Sequence, residues 1–378
     1  MKMTDKNKYS YLVTAQPIDR YFFGSEKTFL PADGSKVNYL VRSMIMPQQT
    51  TLLGMMRYAI LNNLMDSKSV SVIKTDSDKI GSESFNISNT TGYGIIDSLS
   101  PLFLMYEEKG KKINIDLLGF DHQLYNNQET KSLEKVVFRF EDATGNSNTI
   151  SNNNFVPQLD KFDHKQHNQM IWQNKETKDW LTEEDIFGRN EQPGNQKSYT
   201  GEALKDAFYK QTFCYLKKGY RFGFYVELND KLETPCFFKV LMGADQSEFK
   251  ITIEEVINHF DKEVPVEVDV NSMFKVSLLS DAYMTNENLS LTDFSINEII
   301  DFRYIMTDST IQNFAELDTT NIGKITKGRP VKSTKIQLIE KGSVFYIKGK
   351  NLQSFIENIK AQKAFKKIGY NNFKTEKI

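Results

Sequence analysis

From Tyr9 to Pro17 apolar and polar positions alternate, the spacing of a half-buried strand, and a polar loop then runs to Asn38. At Leu52, Leu53, Met56, Ala59, Ile60 and Leu64 the spacing changes to that of one buried helical face, with Arg57 and Asn62 off it. Pro47 sets a rigid entry to this helix, Thr50 or Thr51 is placed to cap its first free amides, and Gly54 leaves room for a neighbouring backbone. A helix start of this kind is able to hold an anion, although a capped core helix after a turn is the commoner use of one.

Residues 66 to 94 are rich in Ser, Asp, Asn and Gly and read as loop. Pro101 to Tyr106 and Ile113 to Leu118 are short strands around a turn at Lys109-Gly110-Lys111. The order β, α, β, β begins a ferredoxin-like βαββαβ unit. From Glu141 to Ala203 the apolar pattern gives way to Asn, Asp, Gln, Lys and Gly, so this stretch is expected to be an insertion, either a mobile arm or a lid ordered by a partner, with Trp172 and Trp180 as anchors. Ala207 to Leu216 and Tyr220 to Leu228 are strand-like runs joined at Lys217-Lys218-Gly219, which predicts a hairpin with Gly219 at positive φ.

Beyond it, Phe237 to Met242 suggests a short helix with a strand as the alternative, and Phe249 to Ile253 and Phe274 to Leu279 suggest strands. Ile296 to Met306 reads as helical. Lys335 to Ile339 and Ser343 to Ile347 flank a turn at Lys341-Gly342, Leu352 to Ile359 is an amphipathic helix, and Ile368 to Phe373 is a last short strand. The expected class is α+β, two ferredoxin-like (RRM-like, βαββαβ) domains with a long inserted hairpin or thumb. The expected boundaries are 1–140 for the first domain, 141–203 for the insertion and 204–378 for the second domain.

Composition narrows this picture. With 39% apolar, 12% aromatic and 26% charged residues in 378, the chain has the make-up of an ordered protein, and no apolar run reaches membrane-spanning length. Met1 to Lys8 is polar and charged, so neither a secretory signal nor a transit peptide is expected and the compartment is expected to be the cytoplasm. Cys214 and Cys236, each within an apolar stretch, are expected to be buried free thiols. The net charge of −1 hides an asymmetry: Lys324 to Ile378 holds 14 Lys or Arg against three acids, while residues 1–323 hold 34 against 46. A basic end of that kind serves either as a phosphate-facing surface or as a solvated face.

Catalytic chemistry is hard to assemble from these residues. There are only four histidines. His122, His164 and His167 fall in or beside the insertion, and His259 has no carboxylate or cysteine at ligand spacing. Asp19 is placed to pair with Arg20. Neither Gly92-Tyr93-Gly94 nor Gly342-Ser343 extends to a phosphate loop or dinucleotide fingerprint. No catalytic residue, metal site or cofactor is expected, and the chain is expected not to be an enzyme.

Several segments together resemble the RAMP superfamily of CRISPR proteins, and within it the third-subunit family of the Cmr, or type III-B, effector complex. Ile18-Asp19-Arg20-Tyr21-Phe22-Phe23-Gly24 with Lys27-Thr28-Phe29 is similar to the family's early Asp, double-aromatic and basic-x-Phe segment. The run from Met46 to Arg57 resembles its proline-led helix start. Phe187-Gly188-Arg189-Asn190, Ala207-Phe208-Tyr209 and Leu216-Lys217-Lys218-Gly219 resemble its mid-chain hairpin. Lys341-Gly342-Ser343-Val344-Phe345-Tyr346 is similar to its Gly-Ser-Val-aromatic turn, and Ile368-Gly369-Tyr370-Asn371 to its closing glycine segment. The chain departs from the pattern at Gln48-Gln49, where small residues and proline are usual, and at Lys341, where Ala is usual.

The resemblance implies a non-catalytic subunit that grips the 5′ tag of the crRNA and caps the backbone of RAMP subunits beside the large polymerase-like subunit. The inserted hairpin would be a thumb near the guide and target RNA. Single-stranded tags are held by stacking, base-edge contacts and phosphate contacts. On this basis Tyr39 or Tyr370 is expected to stack, and Arg42, Arg57, Arg189 and Lys341 to supply charge. Gln48, Gln49, Thr50 and Thr51 would supply edge and phosphate contacts, with Gly54, Gly188, Asn190, Gly342 and Ser343 in the same segments. The nearest alternative is the equivalent cap of a type III-A complex; a RAMP endoribonuclease that matures crRNA is the alternative from another class.

Overall fold

Alternation carries the first strand into the middle of the main sheet. In β1 (Tyr9–Pro17) the side chains of Tyr11, Val13 and Ala15 all point to one face and are buried. The computed structural model describes residues 8–29, 39–64, 76–81, 84–87, 92–126, 131–135, 137–140, 155–158, 168–197, 200, 203–243, 245–257, 268–306 and 331–378. After β1 come β2 (Gly24–Phe29), β3 (Tyr39–Ser43) and helix α1 (Gln49–Ala59), continued by a π-helical stretch over Ile60–Leu64. β4 (Ile96–Leu99), β5 (Phe103–Glu108) and β6 (Lys111–Leu117) follow. Then come β7 (Trp172–Asn174), β8 (Trp180–Leu181) and the long pair β9 (Phe187–Lys197) and β10 (Ala203–Leu216). β11 (Tyr220–Leu228), β12 (Cys236–Met242) and β13 (Ser247–Val256) complete the larger part.

The main sheet has nine strands in the order β8-β7-β6-β5-β11-β1-β13-β12, with β4 also pairing β11. Its central strands are antiparallel and run β13-β1-β11-β5, so the chain visits them fourth, first, third and second. α1 makes the crossover between the first and second of these, burying Leu52, Leu53, Met56, Ala59 and Ile60 against Phe222, Phe224, Phe249 and Ile251. The sheet takes strands from all three of the expected segments 1–140, 141–203 and 204–378. Trp172, 2% exposed, anchors its stretch by packing on Phe187.

The C-terminal unit runs β14 (Met273–Leu278), α2 (Asn286–Ser290), β15 (Phe294–Ile296), β16 (Val344–Lys348), α3 (Gly349–Lys360) and β17 (Phe373–Lys377). Its sheet order β15-β16-β14-β17 repeats the fourth-first-third-second visit, again antiparallel. Phe274, Val276 and Leu278 meet Leu352, Phe355 and Ile359 of α3 on one face. The opposite face is closed by residues 119–122 from the first half: Phe120 packs with Met273, Ile296, Val344 and Tyr346. Asp121 beside it, fully buried, receives a hydrogen bond from Lys275 Nζ at 3.0 Å and one from Tyr346 Oη at 3.1 Å. A buried carboxylate so far from water needs such partners.

Several expected elements change. Phe237–Met242 is in strand β12, the alternative reading, because Val240 and Met242 alternate inward while Phe237, Lys239 and Leu241 face out. Ile296 to Met306 is not helical. It forms strands Phe294–Ile296, Ile299–Phe302 and Ile305–Met306, the second paired with Ile336–Ile339, as suits β-branched and aromatic residues given a partner strand. The last strand starts at Phe373, since Gly369 and Asn371 take positive φ in a turn. Gly219 has the expected positive φ of 91°, but its turn joins strands of different sheets: β10 pairs with β9, and β11 with β1. Cys214 is a buried free thiol, and Cys236 is only half-buried.

Candidate nucleic-acid interface

The segments of the expected helix-start site meet, and Gln49, Arg57 and Tyr370 among them are covered. Gln48 occupies the N-cap position in extended conformation without a side-chain cap, and its carbonyl accepts from Thr51 N and Leu52 N. Thr50 and Thr51, expected to cap, lie within the helix. Gln49 is 5% exposed; its Nε2 donates to Ser100 O at 2.8 Å and Ile368 O at 3.0 Å. It therefore ties the helix start to two loops and does not face solvent. Gly369, at φ +91°, is required beside it, since a Cβ there would come within 1.8 Å of Gln49 Nε2.

Tyr370, expected to stack on a base, is 1% exposed and set among Phe302, Phe365 and Phe85. Burial pushes its phenol well up, and its Oη has no hydrogen-bond partner among the described residues. Arg57, expected off the buried face, is 5% exposed and donates to Gly81 O at 3.0 Å. Burial pulls its guanidinium down to about 10, still charged at neutral pH. Gly54 faces open space, with nothing within 4 Å of the position a Cβ would take, so no neighbouring backbone uses the room it leaves.

The Lys341 turn joins the same place. Lys341 N donates to Asp281 Oδ1 at 3.0 Å and its Nζ lies 3.2 Å from Met46 Sδ, just ahead of α1. Gly342 takes φ +91° against Phe120, and Ser343, fully buried, donates from Oγ to Glu340 O at 2.6 Å. Both shape the turn. Of the expected residues here, Gln48, Thr50, Thr51 and Lys341 keep partial exposure.

The hairpin is different. β9 and β10 continue into β3 and β2 as a four-stranded sheet, with β3 parallel to β10. Arg42 on β3 is exposed beside Thr212 and makes no ion pair among the described residues. The side chain of Tyr39, on the same strand, lies outside the described residues. Arg189, exposed, pairs with Glu183 and shares a rung with Cys214. Burial pushes the Cys214 thiol up, with the Arg189 charge opposing.

On the other face of the hairpin Gly188 sits opposite Tyr215 and Asn190 opposite Phe213. Tyr215 is 41% exposed, and its ring crosses Gly188 so closely that a Cβ there would meet Cζ at 2.0 Å. The Arg20 guanidinium lies 4.4 Å from the Phe213 ring centre, and Phe22 meets the same ring edge-on at 5.8 Å. Arg20 thus packs on an aromatic ring and makes no ion pair with Asp19. The two regions are linked by residues 42–48: Tyr21 N donates to Cys214 O, and Tyr21 Oη to Ile45 O at 2.7 Å. Phe213 and Tyr215 escaped the sequence reading, although they alternate with Thr212 and Cys214 next to Lys217-Lys218, and Arg20 was expected only to pair with Asp19.

His122 Nδ1 lies 3.0 Å from Asp121 Oδ1 and 3.2 Å from Gly119 O, at the buried contact between the two halves. His164, His167 and His259 lie outside the described residues, as do Lys324, Lys327 and Arg329 of the basic end. Among the described residues no three His, Cys, Asp or Glu side chains cluster as a metal site, and no helix is long and apolar enough to cross a membrane.

The model of the family described as CRISPR-associated protein (Cas_Cmr3) matches residues 13–375. A chain in the cryo-EM structure of the type III-B Cmr-beta bound to cognate target RNA is similar at 14% identity, covering 96% of both chains with a TM-score of 0.48. A chain in the structure of type III-B Cmr-beta bound to cognate target RNA and AMPPnP, state 1, is similar at 12% identity, covering 96% of this chain and 95% of that one with a TM-score of 0.45. No curated protein matches the chain.

Proposed function

The chain belongs to the CRISPR-associated Cas_Cmr3 family, and on that premise we propose that it is a non-catalytic crRNA-binding subunit of a cytoplasmic type III-B (Cmr) effector complex. In this reading it grips the 5′ tag of the crRNA and bridges the backbone RAMP subunits to the large polymerase-like subunit, with the hairpin near target RNA. The family match over residues 13–375 carries the proposal. The two antiparallel units visited fourth, first, third and second support its structural side, two ferredoxin-like domains, the first with β12 where a second helix is usual.

The exposed residues divide the work. Arg42, Gly188, Arg189 and Asn190 at the hairpin, with Gln48, Thr50, Thr51, Gly54 and Lys341 at the rim of the helix start, are the members of the expected set that keep exposure. Gln49, Arg57, Gly342, Ser343 and Tyr370 shape the ground beneath them. In this reading the chain positions RNA and leaves cleavage to neighbouring subunits.

The test is to purify the tagged full chain from its host and sequence the RNA that accompanies it. Enrichment of crRNAs with one common 5′ end, together with a large polymerase-like subunit, is expected. RNA of random composition, or none, would overturn the reading.

A further inference from the structure

We propose that the root of the β9/β10 hairpin is a stacking seat for unpaired RNA bases, built from Tyr215 over Gly188 and from Phe213 beside the guanidinium of Arg20. It deepens the RNA-binding reading and rests on it.

A single exposed aromatic residue is ordinary on a protein surface. Here three independent features coincide. The Tyr215 ring lies against the Gly188 backbone in a space that any Cβ would fill, so one side of the ring is fixed while 41% of the residue remains open to solvent. Its loss of freedom is thus largely met before a ligand arrives. One rung along, Phe213 holds Arg20 at 4.4 Å, and Arg20 makes no ion pair among the described residues. Asn190, exposed next to Phe213, offers a donor and an acceptor at the height of a base edge.

Charge separates the two faces of the hairpin. On the Arg189 face the cations are engaged, Arg189 with Glu183 and Lys210 with Glu191. The rungs of the seat, Gly188, Asn190, Phe213 and Tyr215, contain no acid, and the exposed Lys217-Lys218 turn follows directly on Leu216. Asp245 approaches only the further rung, bonded to Gln211. Lys217 Nζ is held by the Glu184 carbonyl, which leaves Arg20 and Lys218 as the cations without an ion pair among the described residues; aromatic faces beside such cations suit a nucleic-acid strand, whose bases stack and whose phosphates need counter-charge. Because every base has a π face, the seat is expected to tolerate any sequence.

The experiment measures binding of the full chain to a fluorescein-labelled short single-stranded RNA by anisotropy, at several salt concentrations, with melting temperatures as the folding control. Tyr215→Ala should weaken binding roughly 5- to 150-fold and leave the salt slope unchanged, while Tyr215→Phe should bind like the parent. Arg20→Gln should flatten the slope. Parental affinity in a folded Tyr215→Ala chain would overturn the seat and leave the RNA-binding reading standing. If the parent itself binds no RNA, that reading falls and the seat with it. Loss of a copurifying protein from Tyr215→Ala, with RNA affinity intact, would give the face to a protein partner and also overturn the proposal.

Discussion

The helix start at Gln49 and the hairpin root at Tyr215 use similar residues to opposite ends. Each region brings together a glutamine or asparagine, an arginine, a tyrosine and a glycine fixed by a close approach. At the helix start the tyrosine and arginine are 1% and 5% exposed, and the amide of Gln49 spans Ser100 and Ile368. At the hairpin the tyrosine is 41% exposed and Arg20 rests on a ring. Residue type therefore does not decide whether a polar group serves the fold or a ligand; what packs over it does. At the helix start the closing turn at 368–371 is the lid, and nothing among the described residues plays that part over Tyr215.

The largest expected effect concerns what keeps the two halves together. Lys275→Ala would leave Asp121 buried without its cation, at a cost of about 3–5 kcal/mol, measured by urea denaturation. Burial works against the charge on Asp121, but His122 and Lys275 outweigh it and hold the carboxyl well below the usual carboxylate range. A lowered folded-state value stabilises the fold at pH above the unfolded value of about 4, and that contribution drains as pH falls from there through the folded-state value. Acid-induced loss of stability in the parent should therefore be reduced in Asp121→Asn, whose starting stability is lower.

Next in size is Gln49→Ala. It strands the carbonyls of Ser100 and Ile368, and thermal unfolding should register a loss of roughly 1–3 kcal/mol. If the buried reading is right, RNA affinity of the folded fraction stays at the parental level. The smallest effect sharpens the comparison from the other side. Arg42→Ala, at an exposed position, should change stability by less than about 0.5 kcal/mol while lowering the salt slope of RNA binding by about one. A stability loss like that of Gln49→Ala would mean that the hairpin sheet, too, is a structural junction.

Much of the fold was legible because burial is periodic. Tyr9–Pro17 alternates and is a central strand, and Leu52, Leu53, Met56, Ala59 and Ile60 form the core face of α1. Ile299 and Ile300 misled because a short apolar run has no period of its own, and the strand at Ile336–Ile339 decided its form. The helix start, the Lys341 turn and the closing turn were legible as separate segments, and they do touch. Which side chains face outward was not, because Arg57 and Tyr370 are covered by residues distant in sequence, Gly81 and Phe302 among them. Nothing in the pattern around residue 57 announces such a cover.

The most direct measurement is ultraviolet crosslinking of the chain to the RNA it carries from its host, followed by mass spectrometry of the adducts. Crosslinks at Tyr215 and Phe213, with none at Tyr370, are expected if the hairpin root is open to bases and the helix start is sealed. Crosslinks at Tyr370 with none on the hairpin would contradict this.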